Sequence, residues 1–204
     1  MQKISAIVIA AGLSRRMGED KNKLLLHFGQ SNLVGEVLKN ILSADFEELI
    51  VVLGHESELV KTFVPLHEKI KCVHNPNFKI GMTSSIQCGV EAAKPENATM
   101  ICLSDMPFIQ KEDYNFLIKN FQNKVFFDKK CIVQPFFGEK KGNPIVFSAH
   151  YRAEILSHQE PEGCRSIVQV NKDFVHLIEM PTDVVLKDID DWETYEKTKR
   201  ACKI

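Results

Sequence analysis

At ~150 residues per domain, the 204 residues predict one compact domain spanning 1–204, long enough to bury a core without disulfides or a structural metal. Hydrophobic residues make up 44% and charged residues 26%, the profile of an ordinary globular protein. Lys plus Arg number 26 against 27 Asp plus Glu, a net charge of −1, which excludes the basic excess of a dedicated nucleic-acid binder and an acidic disordered tail.

Apolar runs and helical patterns alternate along the chain. Ile4–Ala10 is a β-rich run ending at Ala11-Gly12. Leu33–Leu42 puts Leu33, Val37, Leu38, Ile41 and Leu42 on one helical face. A second strand, Glu48–Gly54, precedes a short helix over Glu56–Val64. A third strand at Ile70–His74 leads into Asn75-Pro76, and a helix follows over Thr83–Ala93. Ala98–Leu103 is a fourth strand and Glu112–Phe121 a helix. Beyond residue 130 come strands at Cys131–Phe137 and Pro144–Phe147, with the loop Gly138–Asn143 between them. Helical candidates at Tyr151–Leu156 and Arg165–Val170 precede strands at Phe174–Ile178 and Val184–Ile189, and a last helix starts near Trp192. Continuous apolar strands joined by amphipathic helices imply right-handed crossovers and a parallel sheet covered on both faces. The expected fold is therefore α/β, a three-layer α/β/α sandwich with a mostly parallel, Rossmann-like sheet.

No apolar stretch approaches the ~20 residues needed to span a bilayer, and the N-terminus lacks signal-peptide architecture. The six cysteines show no CxxC spacing and the histidines no HExxH. A reducing, cytoplasmic setting is expected, and Asn97-Ala98-Thr99 is a chance match to a glycosylation acceptor.

In open α/β sheets ligands bind beyond the carboxyl ends of the strands. After the first strand the chain reads Ala10-Ala11-Gly12-Leu13-Ser14-Arg15-Arg16-Met17-Gly18-Glu19-Asp20-Lys21-Asn22-Lys23. This is neither GxGxxG nor a P-loop. It does combine small residues, which let backbone N–H groups approach an anion, with four cations within nine residues. Arg supplies a bidentate fork for phosphate and Lys a point charge. The pattern points to polyphosphate binding; a tight turn followed by a solvated basic loop is the plainer alternative.

The run AAGLSRRMG followed by KLLL closely resembles the signature of the molybdopterin-acting cytidylyltransferases among the MobA-like nucleotidyltransferases. The resemblance implies a fold of the nucleotide-diphospho-sugar transferase type. It implies that Ala10, Ala11, Gly12 and Ser14 line a nucleotide pocket, and that Arg16 and one lysine hold the triphosphate. A literal RMGxxK spacing selects Lys21, whereas the adjoining Leu-Leu-Leu selects Lys23, the preferred choice. Related guanylyltransferases carry A-G-G at this strand end, so Ala10-Ala11-Gly12 looks like the cytidine-selecting form.

Further segments fit the same family. Asn75-Pro76, Gly81-Met82, Ser84-Ser85 and Gly89 resemble its NP…GMxxSxxxG segment, so Ser84 and Ser85 either meet the nucleotide or cap a helix. Ser104-Asp105-Met106-Pro107 closes the fourth strand. A carboxylate there is well placed for Mg²⁺, which binds through one or two carboxylates and phosphate oxygens; an Asx turn is the plainer reading. Gly142-Asn143-Pro144 resembles a substrate-binding G-H/N-P segment. Gly163-Cys164-Arg165 resembles a G-A-R segment, in which Arg165 reaches the pterin phosphate or covers a helix surface. Asp188-Ile189-Asp190 resembles a closing D-I-D. On a strand, Asp188 and Asp190 would face one side; alternatively Asp190 and Glu193 form a capping box. Asp190 ranks ahead of Asp188 as second metal ligand.

The resemblance implies transfer of a cytidylyl group from CTP to molybdopterin by a Mg²⁺-dependent enzyme, with Arg16, Lys23 and Asp105 as catalytic residues. A molybdenum hydroxylase apoenzyme is the expected recipient. Alternatives are a same-fold transferase using another phosphorylated acceptor or NTP, and a non-catalytic cofactor-delivery module. An oxidoreductase with a dinucleotide site ranks last, because the glycine fingerprint is missing.

Overall fold

The computed structural model describes residues 2–18 and 22–202, without the side chain of Cys202. Eight strands form one mixed sheet: β1 (Ile4–Ala10), β2 (Glu48–Leu53), β3 (Ile70–His74), β4 (Ala98–Leu103), β5 (Ile132–Phe137), β6 (Lys140–Lys141), β7 (Ile145–Phe147) and β8 (Val175–Glu179). Their spatial order is β8-β5-β7-β4-β1-β2-β3, with β6 paired to β5. The pairs of β1 with β2 and β4, of β2 with β3 and of β5 with β8 are parallel; β7 runs antiparallel between β4 and β5. The α-helices among the described residues are α1 (Leu33–Leu42), α2 (Ser57–Lys61), α3 (Met82–Ala92), α4 (Lys111–Val125), α5 (Arg152–Ser157), α6 (Arg165–Val170) and α7 (Trp192–Cys202).

The central strands are buried on both faces because each face carries its own helical layer. On one side Val34, Val37, Leu38 and Ile41 of α1, with Tyr114, Leu117 and Phe121 of α4, pack on Ala6, Val8, Val51 and Met100. On the other side Ile86 and Val90 of α3, Ile155 of α5 and Ile167 of α6 cover Ile7, Ile50, Val52 and Ile132. Helix α3 lies close to the sheet because Gly89 has no side chain: a β-carbon there would collide with Ile7 and Val52. The expected three-layer sandwich is thus the observed one.

Most predicted elements appear within a few residues of their expected bounds. The helix after the second strand is shorter than Glu56–Val64, because Glu56 takes a left-handed conformation (φ 49°) before it. The loop Gly138–Asn143 carries the short strand β6 in a hairpin turned at Gly138 (φ 59°). One prediction fails. Val184–Ile189 is not a strand; Asp183–Leu186 is a single 3-10 turn. Val185 is buried in the core and its carbonyl accepts a hydrogen bond from the Asn143 N–H at 3.0 Å. Packing and backbone pairing are met there without a ladder, so the apolar trio Val184-Val185-Leu186 has no need of one.

Among the described residues, no helix is long and apolar enough to cross a membrane.

Candidate active site

The turn after β1 is held by its own polar groups. Ser14 adopts a left-handed conformation (φ 52°), costly for a residue with a β-carbon, and its Oγ accepts a hydrogen bond from the Lys23 N–H at 3.1 Å. Asn22 Oδ1 accepts from the Leu24 N–H at 3.1 Å. These bonds turn the chain back so that Lys23 lies under the end of the sheet. Lys21 lies outside the described residues.

Lys23 Nζ is 2.5 Å from Asp105 Oδ2 and 2.6 Å from Asp190 Oδ1. Asp190 Oδ2 meets Arg16 Nη2 at 2.8 Å. Asp105, Asp188 and Asp190 each offer an oxygen such that all three lie within 4.8 Å of one another. Asp105 follows β4 directly, where Ser104 Oγ donates to the Ile9 carbonyl at 2.6 Å. The other two carboxylates arrive by a different device from strand alternation. Ile189 is fully buried against Met17, Phe28, Leu33 and Tyr195, and its N–H donates to the Asp105 carbonyl at 2.9 Å. That anchor sets its two flanking aspartates beside Asp105. The helix cap belongs to Asp191, whose Oδ1 accepts from the Thr194 N–H at 2.7 Å, so the proposed Asp190–Glu193 box does not form and Asp190 is left to its cations.

The electrostatics are those of three carboxylates facing two cations. Burial lifts the Asp105 carboxyl above the usual range, and Lys23 offsets this only in part. Burial also lifts Asp188, reinforced by the charges of Asp190 and Asp105. Asp190 is held below the usual carboxylate range: burial works against this, but the contacts with Lys23 and Arg16 prevail. Lys23 loses to burial and gains more from its two carboxylates, so its ammonium is held above the usual lysine range. Asp105 Oδ1 is buried with no hydrogen-bond partner among the described residues. An orphaned oxygen beside two further carboxylates is a hard, oxygen-only donor set suited to Mg²⁺ or Mn²⁺; the residues fit a divalent cation.

Two cavities meet at this cluster. One of ≈260 Å³ is lined by Gly12, Ser14, Arg16, Lys23, Asp105, Asp188 and Asp190. One of ≈290 Å³ shares Gly12, Ser14, Arg16, Lys23 and Asp190 with it and is also lined by Leu13 and Arg15. Met82 and Leu103 join the first to a cavity of ≈650 Å³ lined by Gly142, Asn143 and Arg165. A cavity of ≈580 Å³ around Gln2, Phe126 and His150 contains none of these groups.

Of the residues singled out in the sequence, Gly12, Ser14, Arg16, Lys23, Asp105, Asp188 and Asp190 converge, and Gly142, Asn143 and Arg165 stand in the adjoining cavity. Ala10 and Ala11 are buried beneath the turn. Pro144 is buried after a cis Asn143–Pro144 bond. Gly142 lies against the Val185 carbonyl, where a β-carbon would not fit. Ser84 and Ser85 line neither the carboxylate cavities nor the large one. Asn75 Nδ2 donates to both hydroxyls at 3.0 Å, and Ser84 Oγ contacts the carbonyls of Asn77 and Gly81. Nor does either cap α3, whose cap position is Gly81. Arg16 and Lys23, expected to hold phosphate, are engaged by aspartates here. Leu103 and Gln134 were not singled out in the sequence, and Met82 entered only as part of the GMxxSxxxG resemblance. The one available signal was the polar Gln134 inside an otherwise apolar strand.

The model of the MobA-like NTP transferase domain matches residues 6–176. The bifunctional protein GlmU of Thermosipho melanesiensis is 28% identical over 116 residues, 57% of this chain; the match spans only 25% of that relative's length. The nicotine blue oxidoreductase of Paenarthrobacter nicotinovorans is 24% identical over 189 residues, 92% of each chain. The molybdenum cofactor cytidylyltransferase of Escherichia coli is 30% identical over 107 residues, 52% of this chain and 54% of that one. A nucleotidyl transferase from Methanothermobacter thermautotroptrophicus superposes with a TM-score of 0.83 at 22% identity, covering 98% of this chain and 97% of the other. Rv0371c of Mycobacterium tuberculosis in complex with manganese gives 0.73 at 20% identity, covering 96% and 97%. With its strand-end loop, Asp105 and most of its length inside that domain model, the chain belongs to the MobA-like NTP transferase family.

Proposed function

We propose that the protein transfers a nucleotidyl group from an NTP, CTP by preference, to the terminal phosphate of molybdopterin, releasing pyrophosphate. The observation that carries this reading is the interlocked Asp105–Lys23–Asp190–Arg16 cluster at the strand ends, in a cavity that shares Met82 and Leu103 with the lining of the ≈650 Å³ cavity. The Escherichia coli relative named a molybdenum cofactor cytidylyltransferase supports the choice of acceptor.

The reaction joins an acceptor phosphate oxygen to the α-phosphorus and breaks the bond to the β-phosphate oxygen. It needs positioning and charge neutralisation, not a protein nucleophile. Gly12 and Ser14 offer a small-residue turn against which the triphosphate lies. Arg16 and Lys23 exchange their aspartate partners for β- and γ-phosphate oxygens, neutralising charge as pyrophosphate departs. A divalent cation held by Asp105, Asp188 and Asp190 would supply Lewis-acid neutralisation at the phosphates; a manganese complex of a same-fold protein makes Mn²⁺ a suitable probe beside Mg²⁺. Gly142, Asn143 and Arg165 face the acceptor. A molybdenum hydroxylase apoenzyme would consume the product.

Protein, Mg²⁺ and molybdopterin mixed with CTP, GTP or ATP in turn should release pyrophosphate fastest with CTP. A preference for GTP overturns the base assignment resting on Ala10-Ala11-Gly12, and no release with any nucleotide overturns the reaction itself. A second reading is raised by the relative named an oxidoreductase, which aligns over 92% of the chain. Absence of GxGxxG therefore does not separate the two classes within this family. The carboxylate–cation cluster favours nucleotidyl transfer, and substrate-dependent pyrophosphate release distinguishes them.

A further inference from the structure

Strand β5 carries an amide on a face that is otherwise apolar. Gln134 shares the side of Ile132, which packs in the core with Ile101 and Phe147. It is nine-tenths buried, and its Oε1 has no hydrogen-bond partner among the described residues. Gln134 lines the ≈650 Å³ cavity together with Ile101, Leu103, Phe147 and Asn143, and Arg165 stands in the same wall. A buried amide oxygen left without a partner between apolar walls is unfavourable in the free protein. The penalty is relieved when an occupant supplies the missing partners.

The chemistry of that occupant follows from the lining. Apolar walls suit the faces of a flat ring. A Gln amide offers an acceptor oxygen next to N–H donors, and its complement is an N–H adjacent to a carbonyl, the lactam edge of an oxo-heterocycle. Arg165 is exposed at the start of α6, a suitable partner for an anionic group at the mouth.

We propose that Gln134 is the specificity-determining residue for the acceptor, reading the lactam edge of its heterocycle. This rests on the nucleotidyl-transfer reading and deepens it, since the cavity adjoins the carboxylate cluster. A pocket built to hydrogen-bond a polar edge rejects analogues that lack it far more strongly than an apolar pocket rejects a missing methylene.

The test uses the full chain and free pterin, titrated by its fluorescence. The native protein should bind pterin saturably, and pterin methylated on the lactam nitrogen at least tenfold more weakly. Gln134→Leu, of similar volume, should bind pterin at least tenfold more weakly than native and lose the discrimination between the two ligands. Its thermal midpoint should hold or rise, because an unpaired amide has been removed; a merely structural glutamine would lower it. Pterin affinity unchanged by Gln134→Leu, equal native affinity for both ligands, or no saturable binding overturns the proposal. If Gln134→Leu fails to fold, the native comparison of the two ligands decides alone. Mn²⁺ and CTP binding measured on the same preparations keep the readings apart: failure there refutes nucleotidyl transfer, whereas intact nucleotide binding with Gln134-insensitive pterin binding refutes only this assignment.

Discussion

Asparagine at position 105 and asparagine at position 190 remove the same charge from the same cluster, yet they should act oppositely on stability. Lys23 Nζ lies 2.5 Å from Asp105 Oδ2, which at an effective dielectric of ~20 corresponds to roughly 7 kcal/mol of gross attraction. Burying a carboxylate costs several kcal/mol as well. Burial prevails at Asp105, whose pKa is raised, so its ionised form is a net burden at neutral pH. Asp105→Asn keeps an oxygen acceptor for Lys23 and removes that burden. Its unfolding free energy should stay within about 1 kcal/mol of native or exceed it. Asp190 has a lowered pKa, because Lys23 and Arg16 outweigh burial. Asp190→Asn should lose about 1.5–3 kcal/mol, the range of hydrogen bonds to charged groups. The pH dependence separates them further. The Asp190 contribution is present above the ordinary carboxylate range and is lost as pH falls through its lowered folded value. The Asp105 penalty is present at neutral pH and is relieved as pH falls below its raised folded value, so the gap between Asp105→Asn and native should close on acidification. Both variants should lose at least about tenfold in Mn²⁺ affinity, together with turnover. Urea unfolding at neutral and mildly acidic pH, with Mn²⁺ titration, measures all of this. The reasoning fails if Asp105→Asn costs more than about 2 kcal/mol while Asp190→Asn costs nothing.

Ile189→Ala empties a fully buried site and should destabilise the protein by about 2–5 kcal/mol; because Ile189 anchors its two flanking aspartates, Mn²⁺ affinity should fall in the surviving folded fraction. Gly89→Ala drives a methyl into Ile7 and Val52 and should cost about 1–3 kcal/mol by urea unfolding; a neutral result would mean that α3 can shift freely. Burial raises the thiol of Cys102 and pushes those of Cys131 and Cys164 up to about 12. These three should resist an aromatic disulfide reagent at pH 8 until denaturant is added, as read by mass spectrometry; prompt labelling of the native protein would contradict their burial.

Strands β1, β2 and β4 were legible because a parallel strand covered on both faces must be largely apolar, and such runs stand out between amphipathic helices. Asp105 was legible for a related reason: strand ends in this fold face the ligand. Val184–Ile189 misled because burial of Val185 looks the same in sequence whether a ladder or a single turn achieves it. For Ser84 and Ser85 the sequence left several partners open, because a hydroxyl near a helix start suits many; in the structure both accept hydrogen bonds from Asn75.

By itself the sequence determined the layered α/β class and the polar ends of the strands, since hydrophobic periodicity and chain order are local properties. It also singled out Arg16, Lys23 and Asp105 as groups that chemistry would use. Only the tertiary structure decided that Ile189, by burying itself beside Asp105, brings Asp188 and Asp190 to the same place. It alone left Gln134 Oε1 without a partner among the described residues, in a side chain that lines the neighbouring cavity. Both outcomes depend on contacts between residues far apart in the chain, where side-chain burial and hydrogen-bond satisfaction are settled by the packing of whole elements.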